Sequence, residues 1–146
     1  MTAYQMLILQ DGELPLSSEG RIDRQREHRC TATLIWPADA EPAAANSLVV
    51  DPCFTSQGWQ AALARLTALG ISPADIGYYF VTHRHFDHTL ALPQGVDLQN
   101  WQRWGPGRRV KFPSLSEVPC LGHAPDLHAL KFPSESGEVW IVGTRF

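Results

Sequence analysis

Gly77-Tyr78-Tyr79-Phe80-Val81-Thr82 is an aromatic, apolar run of the kind that forms a buried strand. It leads without a break into His83-Arg84-His85-Phe86-Asp87-His88, which holds three of the chain's six histidines and one carboxylate. Imidazole nitrogens and carboxylate oxygens are the donors that zinc and other borderline divalent metals prefer. The fold must therefore place a strand so that its end, where the chain turns, is free to gather ligands. His83 and His85 are two apart, a spacing that lets both rings converge on one ion at a strand end. Asp87 and His88 follow at once and point differently, so a single ion could not easily take all four donors, whereas two neighbouring ions could share them. The plain alternative is a polar loop with surface histidines. His is a rare residue, and three of them beside an Asp in so short a stretch argue against that alternative.

The chain has 146 residues, enough for one domain spanning 1–146 with an ordinary core. A hydrophobic fraction of 44%, with five Trp and six Phe, supplies that core. A net charge of -3 and a pI near 6.0 speak against a nucleic-acid partner, which favours a basic surface. Arg21, Arg24, Arg26 and Arg29 cluster, but Asp23 and Glu27 interrupt them, as in a solvated loop. Neither a signal-like N-terminus nor an apolar run of membrane-spanning length is present, so a cytoplasmic location without a membrane partner is the expectation. Cys30, Cys53 and Cys120 are too few and too far apart for a disulfide framework or a CxxC clip, and each reads as a small buried or half-buried residue.

In chain order, Met6 to Leu9 is a strand stopped by Asp11-Gly12, and Glu13 to Arg29 is loop. Cys30 to Trp36 is a second strand, and Ala38 to Asn46 is a surface connection. Ser47 to Val50 is a third strand that delivers Asp51 at its end. Trp59, Ala62, Leu63, Leu66 and Leu69 recur at helical spacing, with Ser56 as the expected cap and Gly70 as the stop. A short turn of helix over Ile71–Ile76 then leads into the Tyr78–Thr82 strand, completing a strand–helix–strand unit of α/β type. Leu90 and Leu92 suggest a brief helix, and Val96 to Gly107 reads as helix or loop, with Trp101 and Trp104 as core residues. Val110-Lys111-Phe112 and Glu117-Val118-Pro119 read as edge pieces. Leu127–Phe132 and Glu138–Val142 form a hairpin joined by Pro133 to Gly137.

A tetrahedral site needs a ligand from elsewhere in the chain. His123 is the main candidate: Gly122 allows a sharp turn before it, and Pro125 fixes the exit. His128, inside the expected hairpin, is the weaker candidate, and His28 belongs with the charged loop.

Leu48-Val49-Val50-Asp51, then Thr82-His83-Arg84-His85-Phe86-Asp87-His88, then Gly122-His123 resemble the first three motifs of the metallo-β-lactamase fold superfamily, in order. The T-H-x-H-x-D-H string is highly specific, and the other two are weak alone. The resemblance runs from about Cys30 to the end and implies an αββα sandwich with a metal site at one edge between the sheets. It further implies that His83, His85 and His123 bind a first zinc, that Asp87 and His88 belong to a second, and that Asp51 orients the ligand loop from behind.

The chain departs from the family where the bridging Asp is expected: Val139-Trp140-Ile141-Val142-Gly143 is followed by Thr144. The last His is also missing, because the sequence stops at Phe146; Leu121 stands where Pro is common, and Asp126 where Gly is common. The expectation is thus a sandwich incomplete in its second half, with one firm zinc (or another divalent metal) and a second that is weak or absent. A homodimer is expected to cover the edge left by the missing strands. Cys120 as a replacement ligand is less favoured than simple packing. The leading functional expectation is a zinc-dependent hydrolase acting on a small-molecule ester, thioester, amide, lactam or related bond, with Asp87 as the catalytic carboxylate. A non-catalytic metal-binding member is the alternative, and nuclease activity comes third because of the acidic balance.

Overall fold

The computed structural model describes residues 2–12, 16–21, 30–82, 101–105, 112–120 and 127–142. Two sheets and one α-helix make up the regular structure of these residues. The first sheet runs in the order β1 (Tyr4–Gln10), β2 (Ala32–Pro37), β3 (Leu48–Val50), β4 (Tyr78–Phe80), β5 (Gln102–Arg103). Its β1–β2 and β2–β3 pairs are antiparallel, whereas β3–β4 and β4–β5 are parallel. The second sheet is antiparallel, in the order β6 (Ser116–Pro119), β7 (His128–Ser134), β8 (Gly137–Ile141).

The apolar runs of β2 and β3 have both faces buried, and period-two alternation sorts them into two cores. Leu34, Trp36 and Val49 face the helix α1 (Ser56–Ala68), meeting Trp59, Ala62 and Leu66. Ile35, Leu48, Val50 and Phe80 face the other way, onto Leu130 and Phe132 of the second sheet. The layers are therefore helix, sheet, sheet: an αββα sandwich short of its second helix layer among the described residues. Among the described residues no helix covers the outer face of the second sheet, where Trp140 is exposed.

Helix α1 is stopped as expected but started one residue earlier. Thr55, not Ser56, is the cap: its hydroxyl accepts from the Gly58 amide at 2.9 Å while its own backbone stays extended. At the other end Gly70 takes a φ of 70°, its amide donates to Thr67 O, and the Ile71 amide reaches back to Leu66 O. That is a Schellman closure with Ile71 packed on Leu66. The short helical turn before β4 is a 3₁₀ turn, Pro73–Asp75, held by reciprocal hydrogen bonds between Ser72 and Asp75.

Two expectations are corrected. Within the 96–107 stretch, Gln102–Arg103 is a strand, pairing in parallel with Tyr78–Tyr79. Trp101 and Trp104 have opposite parity, so on extended chain they serve different cores. Trp101 is buried on the helix side with its Nε1 donating to Pro73 O, and Trp104 packs on Phe80 and Phe112 between the sheets. The β7–β8 turn is also tighter than expected: Ser134 pairs with Gly137, so only Glu135 and Ser136 connect the strands. Pro133 lies inside β7, which it can do because β6 pairs only as far as Lys131.

Gly77 fixes the approach to β4. A Cβ built there would run into the Ala44 carbonyl, so a backbone has to move. Gly77→Ala is expected to lower stability by about 2–3 kcal/mol, the range for overpacking against an unyielding neighbour. Urea unfolding measures it; an unchanged midpoint would show that the 38–46 loop simply gives way. Gly20→Ala meets open space but sits at a φ of 77°, so it carries only the smaller backbone cost, about 1 kcal/mol.

Candidate metal centre

Parallel strands bring their carboxyl ends to one edge of a sheet, where α/β proteins gather their ligands. Here β3 ends in Asp51 and β4 runs on to Thr82 at the same edge. Asp51 is buried, and its backbone is left-handed with a φ of 54°, a conformation Asp tolerates better than most residues. Its amide donates to Phe80 O at 2.7 Å, which locks the turn onto β4. The carboxylate then accepts twice from one residue, taking the Thr82 amide on Oδ1 and the Thr82 hydroxyl on Oδ2, both at 2.8 Å. A buried carboxylate is costly unless hydrogen-bonded, and these charge-assisted bonds meet that need. Thr82, itself fully buried, is thereby held by backbone and side chain together.

Thr82 is also where the two sheets meet. Its carbonyl accepts from the His128 amide at 2.8 Å, tying the first residue of β7 to the end of β4. One residue earlier, Leu127 O accepts from the Cys120 amide at 2.9 Å and closes the neck of segment 121–126. The chain that continues into His83 and the neck of the segment that contains His123 are therefore adjacent. In the sequence His83 follows Thr82 directly, and His123 stands three residues after Cys120.

The proposed ligands His83, His85, Asp87, His88 and His123 lie outside the described residues, as do Thr144 and most of the Arg21–Arg29 cluster. Among the described residues no group of three or more His, Cys, Asp or Glu side chains could hold a metal ion. His128, the weaker candidate, sits at the start of β7 with its Nδ1 3.8 Å from Glu117 Oε1. Burial pushes the Glu117 carboxyl up from its ordinary range, and the charges of His128 and Arg103 partly offset this.

A buried polar network behind Asp51 escaped the sequence reading. Gln10, at the end of β1, donates its amide nitrogen to Cys30 O at 2.8 Å and to Cys53 O at 3.0 Å. Its amide oxygen accepts from the Thr55 amide at 3.1 Å, so one side chain joins β1, the approach to β2, the Asp51 turn and the helix cap. Gly58 makes room for it, since a Cβ there would collide with the Gln10 amide. A Gln closing an apolar run carries no sequence signal of this role; only the juxtaposition of four segments creates it.

The fold and this carboxylate-held strand end define a two-sheet α/β sandwich in which the carboxyl ends of β3 and β4 lie side by side at one edge. The chain belongs to the metallo-beta-lactamase superfamily, whose family model matches residues 26–137. That superfamily consists mostly of hydrolytic enzymes and typically binds divalent metals, often zinc. A candidate metallo-beta-lactamase from Thermotoga maritima has a similar structure, with a TM-score of 0.65 and 16% identity over 96% of this chain and 78% of that one. At that identity the likeness shows the fold alone. Metallo-beta-lactamase SMB-1 bound to 2-mercaptoethanesulfonate matches with a TM-score of 0.48 and 18% identity, over 77% of this chain and 56% of that one. Hydrolase AbOPH of the beta lactamase superfamily also has a TM-score of 0.48, at 12% identity, over 97% of this chain and 67% of that one. No curated protein matches the sequence. Among the described residues no helix is long and apolar enough to cross a membrane.

Proposed function

We propose that this chain is a metal-dependent hydrolase that cleaves an ester, thioester, amide, lactam or related bond in a small molecule. The observation that carries the reading is the Asp51–Thr82 clamp at the end of the strand that runs into the donor cluster. Three imidazoles, from His83, His85 and His123, are a donor set that suits one zinc ion with an open position. Asp87 and His88 are the donors left for a second ion, and without a carboxylate at position 144 that ion binds weakly or not at all.

A zinc ion held there supplies Lewis acidity and makes water a usable nucleophile near neutral pH. With no second ion on its carboxylate, Asp87 would hydrogen-bond the attacking water and accept its proton. Asp51 keeps the ligand loop in register from behind, the task that outer-shell carboxylates commonly perform. The turnover-deficient reading rests on Thr144, and one experiment separates the two. Purified protein is analysed for metal content and native mass, then offered ester, thioester, lactam and phosphodiester substrates with and without chelator. Stoichiometric zinc with chelator-sensitive turnover supports the hydrolase. Zinc without turnover on any of them favours the binding protein, and no zinc at all sinks both. The native mass also tests the expected homodimer.

The imidazoles must be neutral to hold the metal, so protonation releases it. Zinc content is expected to fall as the pH drops below about 6, near the ordinary His value. Full retention at about pH 4.5 would be incompatible with an all-His first site.

A further inference from the structure

Cys30 and Cys53 come together on the inner side of the Asp51 turn. Both carbonyl oxygens accept from the same Gln10 nitrogen, at 2.8 and 3.0 Å, which places them within a few ångströms of each other. The Cys30 thiol lies 3.6 Å from Cys53 O and donates to Asp51 O at 3.3 Å. The β2–β3 pairing ends at Thr33↔Val50, and the Asp51 turn then carries Cys53 back beside Cys30. Neither cysteine is in a disulfide; Cys30 is buried and Cys53 is half-buried. A side-chain hydrogen bond with Cys53 and burial both push the Cys30 thiol up. Cys120, the third thiol, follows β6 of the second sheet and donates to Val118 O.

We propose that Cys30 and Cys53 form an oxidative modification site, a thiol pair that hydrogen peroxide converts to a disulfide beneath the Asp51 turn. The half-buried Cys53 meets the oxidant first: its sulfur takes one peroxide oxygen as a sulfenic acid, and one water leaves. The Cys30 sulfur then attacks the Cys53 sulfur. The S–S bond forms, the S–O bond breaks, and the hydroxyl departs with the Cys30 proton as a second water. Two thiols lose two electrons in all, and one peroxide is reduced to two waters. The Cys30 hydrogen is the donor to Asp51 O, so oxidation removes one support from the turn that holds Thr82. Intracellular disulfides of this kind are typically transient and redox-sensing. The site stands on the thiols and Gln10 alone and does not depend on the hydrolase reading.

The test uses the full chain, reduced, exposed to hydrogen peroxide, denatured, alkylated and digested. Cleavage after Arg29, Asp39 and Arg65 puts the two cysteines on separate fragments. Alkylatable thiols are expected to fall from three to one, with a Cys30–Cys53 linked fragment pair that dithiothreitol separates. A Cys120→Ser chain, which keeps the pair, is expected to give the same link. The proposal is overturned by Cys53 sulfinic acid beside alkylated Cys30, by links through Cys120, or by three thiols surviving peroxide that oxidises free cysteine.

Discussion

Asp51→Ala is expected to destabilise the chain by about 2–4 kcal/mol, the cost of taking the shared acceptor away from two buried donors. Two bonds to Thr82 disappear, and the Thr82 amide and hydroxyl are left buried without their acceptor. Alanine must also adopt a φ of 54°, which adds roughly 1–2 kcal/mol. Asp51→Asn separates these contributions. Asparagine accepts the left-handed backbone and keeps one carbonyl oxygen for the Thr82 amide, so a loss of only about 1–2 kcal/mol is expected. Under the proposed function both variants also bind zinc about 10–100-fold more weakly, because the strand end no longer holds its ligand loop in place. Urea unfolding in chelator and a zinc titration in buffer read the two effects independently. Parent-like stability in the alanine variant would mean the clamp contributes nothing, whatever the metal does.

His83→Ala is expected to remove the metal and, with it, turnover. A tetrahedral site reduced to two imidazoles does not hold zinc against a chelating buffer. Elemental analysis should show less than a tenth of the parent's zinc, and hydrolysis should fall to the uncatalysed rate, while unfolding in chelator stays within about 0.5 kcal/mol of the metal-free parent. Asp87→Asn is the contrast. If Asp87 accepts the proton rather than holding the first ion, zinc content is kept while turnover falls by about 10²–10⁴-fold. Zinc and activity lost in parallel would instead make Asp87 a ligand of the first ion. His28→Ala should change neither. Full zinc in the His83 variant would move the site away from this strand end altogether.

Much of the architecture was readable from local pattern. The apolar runs at Tyr4–Gln10, Ala32–Pro37 and Leu48–Val50 formed strands, Trp59–Leu66 formed the helix, and Gly70 ended it, because burial periodicity and a left-handed glycine act over a few residues. Reading failed where partners were remote. Gln102–Arg103 has nothing strand-like in its composition; it is a strand because Gly77 O accepts the Gln102 amide and Tyr79 O accepts the Trp104 amide. Tyr4 likewise gave no hint that its hydroxyl would donate to Pro113 O at 2.6 Å, with burial pushing its pKa up to about 12.

The sequence by itself determined the chemistry on offer: a run of His and Asp at a strand's end, a later His beside a Gly, and an Asp closing a preceding strand. Side-chain donors are fixed by residue type, and a short motif fixes their spacing. Only the tertiary structure decided what stands around that strand end. It turned Asp51 back onto both groups of Thr82, drew the start of β7 onto the Thr82 carbonyl, and set Cys30 beside Cys53 under Gln10. Those contacts span separations of 20 residues or more, and no local pattern encodes them. They form because a buried polar group must find a partner somewhere in the packed chain. The His83–His88 cluster thus enters the fold as a motif with a defined anchor: its first residue leaves from a Thr held at amide, hydroxyl and carbonyl.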